Sequence, residues 1–325
     1  MKNRNQNITM QLNGRLGNQM FQYAFGRAAQ EKSGGQLIIN FYGVEQKDRE
    51  FPNQMWGDSL QFFNTVYQKE TMAPQSFWRK YLSIKQRLLV YLRGILGKTF
   101  LKESKYQSYE NLSGMDKWIA DYFKKNSLYI FPIRTDVYDV GRHKNAFCLA
   151  FFEDEKLFRD IRPTLINEFT PKAPLREENV SLYEAINTTQ SVCVTIRRGD
   201  YLSEKYRDAF FICDENYFIK GIEIIKQKIN NPVFFFFSDD LEYAKEFSKH
   251  VMGENDQYFI ETENNPVWEK LRIMSACKHF VISNSTFSWW CQYLSNNDEK
   301  IVIGPKKWNN NSENNSWVQD EWIKI

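Results

Sequence analysis

The sequence predicts an α/β protein of two Rossmann-like domains facing a cleft, residues 1–170 and 171–325. Three observations carry that prediction. Strand and helix patterns alternate from residue 191 to residue 305, as in a doubly wound parallel sheet. The chain also opens with a strand, a glycine-punctuated turn, a helix and a second strand. Between these regions "FTPKAPLREEN", residues 169–179, combines two prolines with dense charge and reads as a linker.

"NITMQL", residues 7–12, is the opening strand, and "LNGRLGNQMFQYAFGRA", residues 12–28, turns into a helix. Phe21, Ala24, Phe25 and Ala28 recur at i, i+3, i+4 and i+7, which predicts one buried helix face. Ser33-Gly34-Gly35 stops the helix, and "QLIINF", residues 36–41, is a strand parallel to the first. Residues 45–150 mix aromatic and basic helical patterns without clean alternation. Within them, "FWRKYLSIKQRLLVYLRGILGKTF", residues 77–100, reads as a helix until Gly94 and Gly97.

Past the linker the pattern is regular. "SVCVTIRR" (191–198) is a strand, and Asp214 is placed to cap a helix bearing Phe218, Ile222 and Ile225, ended by Asn231-Pro232. "VFFFFSD" (233–239) is apolar enough for a strand covered on both faces. A helix (240–251), strand "YFIET" (258–262), helix (266–278), strand "HFVISN" (279–284), helix (285–296) and strand "KIVIGP" (300–305) follow.

Composition narrows the function. Apolar residues make up 42% and charged residues 26%, an ordinary globular balance, and the net charge of +3 is too small for whole-chain nucleic-acid binding. Charge is nevertheless uneven. Residues 77–105 hold eight basic residues against Glu103 alone. Leu82, Leu89, Leu92 and Leu96 recur there near helical spacing, with Arg79, Lys85, Arg87 and Arg93 between them. Such a helix is either a solvated face or a peripheral contact with anionic membrane. Five scattered cysteines without a C-x-x-C pair, and three histidines, argue against zinc and for reduced thiols in a cytoplasmic protein. No signal peptide and no membrane span is expected.

Four stretches carry chemistry. In the opening loop Gly14 and Gly17 lie three apart, which is neither the dinucleotide fingerprint nor a P-loop. Arg15 and Asn18 stand at a helix N-terminus, which is either an anion site or only a strand-to-helix turn. "VTIRRGDY" places Arg197 and Arg198 at a strand end, to meet a ligand's pyrophosphate or a structural partner such as Asp200. Alternation puts Arg197 on the face of Thr195 and Arg198 on the other. "SNSTFSWW" opens a helix with Ser285 and Thr286, able to cap it or to cradle phosphate, while Trp289 and Trp290 suit packing. "FFSDD" puts Ser238 and Asp239 at another strand end, where a carboxylate commonly meets a ribose or a base edge. No D-x-D suited to a metal is present.

Taken in order, "GRLGNQMFQYAFGRA", "IRRGDYL", "FFSDD", "ISNSTFSWW" and "KIVIGPKKW" resemble the bacterial α-1,2-fucosyltransferases, glycosyltransferase family 11, over roughly residues 7–308. The resemblance implies a GT-B-like fold, inverting transfer of L-fucose from GDP-fucose to a galactose-terminated oligosaccharide or lipid-linked glycan, and no metal or other cofactor. It puts Arg197 on the donor β-phosphate, with Arg198 beside it. Asn284, Ser285, Thr286 and Phe287 fall on the diphosphate cradle, and Asp239 near the guanosine. Arg15 and Asn18 would face the reacting sugar. Thr195 stands where the family usually has histidine, and Lys270 where many members carry an acid. Asp200 and Glu204 are both candidates for the base. A transferase using another GDP-sugar or forming another linkage, and a non-catalytic glycan-binding relative, are the alternatives. A lipid-linked acceptor would place the enzyme at the inner face of a bacterial membrane.

Overall fold

The computed structural model describes residues 5–99, 109, 112–130, 138–199, 211–261, 265–310 and 317–325. These fall into two compact units that meet in sequence at Phe169 and Thr170.

The first unit holds a five-stranded parallel sheet with β1 (Gln6–Gln11) at its centre. On one side lie β2 (Gly34–Asn40) and β3 (Gln68–Glu70); on the other lie β5 (Asn145–Cys148) and, outermost, β4 (Leu128–Tyr129). Strand order thus reverses beside β1. Helix α1 (Leu16–Ser33) buries the predicted Phe21, Ala24, Phe25 and Ala28, but also Met20, Tyr23, Gly26 and Ala29. From Leu16 to Ala29 it is packed nearly all round, so polar residues within that span mark function or fixing, whereas Glu31 and Lys32 in its last turn face solvent. Gly34 ends it in the left-handed region at φ 67°, its N–H donating to Gln30 O, as a C-terminal glycine allows.

Helix α2 (Tyr42–Glu50) follows β2. The single helix expected over 77–100 is two helices, α3 (Pro74–Tyr81) and α4 (Ile84–Thr99). The break is built by Ser83-Ile84-Lys85-Gln86. Ser83 Oγ accepts from the Gln86 N–H at 3.3 Å, and Gln86 Oε1 accepts from the Ser83 N–H at 3.1 Å. This reciprocal capping box starts a new helix at Ile84. Gly94 and Gly97 lie inside α4 and do not stop it. The expected leucine stripe is also corrected, since Leu82 and Leu89 belong to the core with Ala120, Phe123 and Phe147. Helix α5 (Gly114–Lys125) supplies the first two of those partners. Lys102, Glu103 and Lys105 lie outside the described residues.

A short helix, α6 (Arg162–Glu168), closes the first unit, and α7 (Val180–Thr188) leads into the second. The second unit's sheet has six parallel strands: β6 (Gln190–Ile196), β7 (Pro232–Ser238), β8 (Gln257–Ile260), β9 (His279–Ile282), β10 (Val302–Gly304) and β11 (Ile323–Lys324). Their spatial order is β8-β7-β6-β9-β10-β11, so chain direction through the sheet reverses between β6 and β9. Between strands run α8 (Glu215–Lys228), α9 (Leu241–Val251), α10 (Val267–Ser275) and α11 (Thr286–Leu294). Asp214 caps α8 as expected, accepting from the Tyr217 N–H at 2.9 Å. Phe234, Phe235 and Phe236 of β7 are fully buried, the signature of a strand covered on both faces.

All five cysteines are buried free thiols. Burial pushes the thiols of Cys148 and Cys291 well above their ordinary range, so they serve as core residues rather than nucleophiles. Trp289 and Trp290 are likewise core, 1% and 0% exposed.

Candidate functional site

In open α/β sheets a ligand crevice forms beyond the carboxyl ends of the strands where their order reverses. In the second unit that point lies between β6 and β9, which pair through Thr195 and Ile282. Arg197 and Asn284 each stand two residues past that pair, so "IRRG" and "SNSTF" leave the sheet at adjacent strand ends.

Strand β6 ends at Ile196, which corrects the expected span to 198. Both arginines therefore sit in the exit turn, where strand alternation does not govern them. Their directions come from β7 instead. The register pairs Ile196 with Ser238, bringing Arg197-Arg198 opposite Asp239-Asp240. Arg197 Nη1 lies 2.7 Å from Asp239 Oδ2, and Asp239 Oδ1 accepts from the Arg198 N–H at 2.9 Å. Arg198 Nε stands 3.4 Å from Asp240 Oδ2, an ion-pair distance rather than a hydrogen bond, and its guanidinium lies 3.7 Å from the Tyr243 ring centroid. That stacking holds the Arg198 guanidinium against α9. Tyr243 Oη donates to Glu215 Oε1 at 3.1 Å, and burial pushes the Tyr243 hydroxyl up to about 12. Asp240 also caps α9 through the Tyr243 N–H at 3.1 Å, and Ser238 Oγ ties β7 to Ile196 O at 2.9 Å.

Gly199 follows the arginines because its space is taken. A Cβ there would overlap Asp239 Oδ2, the oxygen that holds Arg197. Asp200 and Glu204, the two candidates for a base, lie outside the described residues.

On the β9 side, Thr195 is buried, and its Oγ1 accepts from the Ser283 N–H at 3.1 Å. The threonine in the histidine position thus pins the exit turn of β9. Asn284 is 1% exposed, with Nδ2 donating to Phe211 O at 2.6 Å and Trp308 O at 2.8 Å. Its side-chain amide thus holds the turn between β9 and α11. Ser285 occupies the N-cap of α11 in extended conformation, and its side chain makes no capping hydrogen bond. Ser285, Thr286 and Phe287 are half-buried at that helix end, where the partial positive charge of the helix favours an anion. Lys270, the other departure from the resemblance, is paired. Its Nζ lies 2.9 Å from Oε1 of buried Glu261. Burial pushes the Glu261 carboxyl up, and Lys270 opposes that shift.

The first unit has its own strand-order reversal beside β1, and the loop leaving β1 carries the glycine turn. Gly14 has φ +83°, and a Cβ there would come within 2.6 Å of Asn18 Nδ2. The turn therefore requires glycine on two counts. Arg15 lies over Trp56, 5.7 Å from the ring centroid, and Lys47 Nζ approaches the same ring at 4.4 Å. Gln19 and Gln22, which the sequence reading passed over, fix this loop. Gln19 Nε2 donates to Gly14 O at 3.1 Å and Gly57 O at 2.8 Å, while its Oε1 accepts from the Ser59 N–H at 3.1 Å. Gln22 exchanges two hydrogen bonds with the Asn13 backbone. The missed signal was two glutamines, one turn apart, in a run from residue 19 to residue 26 that is otherwise apolar.

Among the described residues no group of three or more His, Cys, Asp or Glu side chains converges as a metal site.

Comparison with known proteins bears on the same regions. A family model described as glycosyl transferase family 11 matches residues 7–325. The chain is 30% identical to an alpha-1,2-colitosyltransferase of Escherichia coli, over 98% of each chain. It is 26% identical to the O-antigen biosynthesis glycosyltransferase WbnK of Escherichia coli, over 97% of this chain and 99% of that one. Among solved structures, NodZ alpha-1,6-fucosyltransferase co-crystallized with GDP aligns over 92% of this chain and 94% of that one. The TM-score is 0.50 at 14% identity, a likeness of fold alone. The α/β, GT-B-like class expected from the sequence stands, with two Rossmann-like units of parallel sheet.

Proposed function

Because the chain belongs to glycosyl transferase family 11, we propose that it transfers a 6-deoxy sugar from its GDP-activated form to the 2-hydroxyl of a galactose-containing glycan, with inversion. L-fucose is the sugar read from the motifs. One observation carries the proposal. Arg197 and the N-terminal end of α11 leave adjacent strands at the reversal of strand order, a place suited to a diphosphate.

In the reaction the acceptor hydroxyl oxygen bonds to the anomeric carbon as the bond from that carbon to the diphosphate oxygen breaks. The hydroxyl proton passes to a base, and GDP departs with the bonding electrons. The residues of this chain act by holding charge and position. Arg197 offers a planar fork of donors to the β-phosphate, which gains negative charge as the bond breaks. Ser285, Thr286 and Phe287 present backbone N–H groups to the same diphosphate. Asp239 orients Arg197 and stands near the nucleoside. Arg198 holds the turn. The family resemblance assigns Arg15 and Asn18, on the loop that Gly14 turns, to the sugar. With cationic side chains and a helix end to neutralise the leaving group, no metal ion is required.

A second donor has its own support in the likeness to the colitosyltransferase. Colitose is L-fucose without the 3-hydroxyl, so the two donors share the GDP and anomeric chemistry. A direct experiment separates them. The protein is mixed with GDP-fucose or GDP-colitose and a galactose-terminated oligosaccharide in excess EDTA. Released GDP is measured and the product linkage is read by NMR. An α-1,2-linked product from GDP-fucose, formed at equal rate with and without EDTA, is expected. A preference for GDP-colitose would reassign the donor. Activity lost to EDTA and restored by magnesium or manganese would overturn the charge assignment. Binding of the galactoside without turnover would make this a glycan-binding relative.

A further inference from the structure

Helix α4 has two apolar faces, and only one of them is core. Leu89 and Val90 pack inward on Ala120 and Phe123 of α5. The other face turns outward. Ile84 is 78% exposed, Leu88 57%, Tyr91 67% and Leu92 38%, spaced i, i+4, i+7 and i+8. On α5 the same thing happens with Met115, Trp118 and Tyr122, at i, i+3 and i+7 and again exposed. These two stripes hold seven of the fourteen large apolar side chains that stand exposed among the described residues. Trp118 stacks on Tyr122 at 5.7 Å between centroids, and Lys85 of α4 reaches over Tyr122 at 5.7 Å. The two helices thus present one apolar surface joined through a lysine.

The charge around that surface selects its partner. Residues 74–94 contain Arg79, Lys80, Lys85, Arg87 and Arg93 and no acid; Arg79 and Lys85 are exposed, whereas Arg93 is partly buried, which lowers its pKa. Lys80 is neutralised by Glu70 at 2.7 Å. Helix α5 adds Lys117, Lys124 and Lys125 against Asp116 and Asp121. Protein–protein interfaces deplete lysine, whereas exposed tryptophan, tyrosine and leucine set among lysines suit the boundary between lipid headgroups and acyl chains. No helix among the described residues is long and apolar enough to cross a membrane. We infer that the α4–α5 face docks this protein on an anionic lipid surface. Ile84, Leu88, Tyr91 and Trp118 enter the headgroup boundary, and Lys85 and Lys117 meet lipid phosphates. The stripe differs from the leucine pattern legible in the sequence, half of which is core.

The test uses the full chain and reads binding rather than turnover, so it is independent of the proposed reaction. Sedimentation is measured with vesicles of phosphatidylcholine alone and with vesicles containing roughly one third phosphatidylglycerol. Binding is expected only with the anionic vesicles, weakening as salt rises. Lys85→Gln and Lys117→Gln should each weaken it about fivefold, the value of one surface charge near anionic lipid. The pair Leu88→Ser and Trp118→Ser should weaken it at least about tenfold, with an unchanged melting temperature because both side chains are exposed. Brominated acyl chains should quench the wild-type fluorescence, and Trp118→Phe should lose part of that quenching while still binding. A wild-type protein that ignores anionic vesicles at low salt overturns the inference. So does a serine pair that binds like wild type. If instead the wild-type chain is a dimer that the serine pair dissociates, and vesicles are ignored, the face belongs to a second copy.

Discussion

Arg197 Nη1 stands 2.7 Å from Asp239 Oδ2, an ion pair that links the carboxyl ends of β6 and β7. Both side chains are about one quarter exposed, so the pair contributes little to stability by itself. Its consequence is directional, because a cation on a turn is given a fixed position next to the helix end at α11. Arg197→Ala should lower turnover by about two to three orders of magnitude, as removal of one preorganised charge donor does. Arg197→Lys should recover only part of that, since a point charge replaces a fork. Asp239→Asn should cost less than Arg197→Ala, and the double variant should be no worse than Arg197→Ala alone. Steady-state kinetics on the four proteins decides it. Wild-type turnover in Arg197→Ala or Arg197→Lys would remove the role.

The glycine after the arginines offers a subtler test of the same pair. Gly199→Ala adds one methyl that collides with Asp239 Oδ2 and must displace it from Arg197. Because Gly199 is exposed, the melting temperature should hardly move while turnover falls about tenfold or more. Equal loss of stability and activity would point to a folding defect instead.

Gln19 is fully buried, and its amide satisfies three backbone groups from two segments. Gln19→Ala leaves the Gly57 carbonyl and the Ser59 N–H without that partner and should destabilise the protein by about 2–4 kcal/mol. Gln19→Glu keeps the acceptor for Ser59 but sets an oxygen against the carbonyls of Gly14 and Gly57. It should be at least as damaging. Urea unfolding midpoints provide the measurement, and an unchanged midpoint in both variants would show that the loop does not depend on Gln19.

His279 at the start of β9 is 4% exposed, and its Nδ1 accepts from the Ile301 N–H at 3.1 Å. Burial, helped by Lys278, lowers its pKa below the ordinary 6.5. In the unfolded chain the imidazole takes up a proton near its ordinary pKa, whereas in the fold it resists until lower pH. The unfolded state therefore binds more protons in that window, and stability is lost as pH falls below about 6.5. His279→Asn retains an acceptor oxygen without the titration. The urea midpoint of wild type should drop more between pH 7.5 and pH 5.5 than that of the variant, a span set around the ordinary histidine value of about 6.5. Parallel drops in the two proteins would assign the pH dependence elsewhere.

Much of this molecule follows from local pattern. The runs at β6, β7 and β9 are so apolar that only a covered parallel sheet accommodates them, and Asp214 announces the start of α8 by its side chain alone. The dipeptides Arg197-Arg198 and Asp239-Asp240 are equally plain, as are the small hydroxyl residues that open α11. Strands β3, β4 and β11, with two or three residues each, are not legible, because a segment that short becomes a strand only when a neighbour already offers its hydrogen bonds. The Ser83–Gln86 capping box was available in the sequence but hidden under a continuous apolar repeat. By itself the sequence determined the parallel α/β class, the residue types brought to the strand ends and the cationic character of residues 77–94. Tertiary structure alone decided that Arg197 meets Asp239, that Asn284 turns inward, and that Leu82 and Leu89 are core while Ile84 and Leu88 face solvent. Periodicity reports where a segment changes from buried to exposed only along its own axis. The partner of a charge and the covered side of a helix depend on register and packing between segments far apart in the chain.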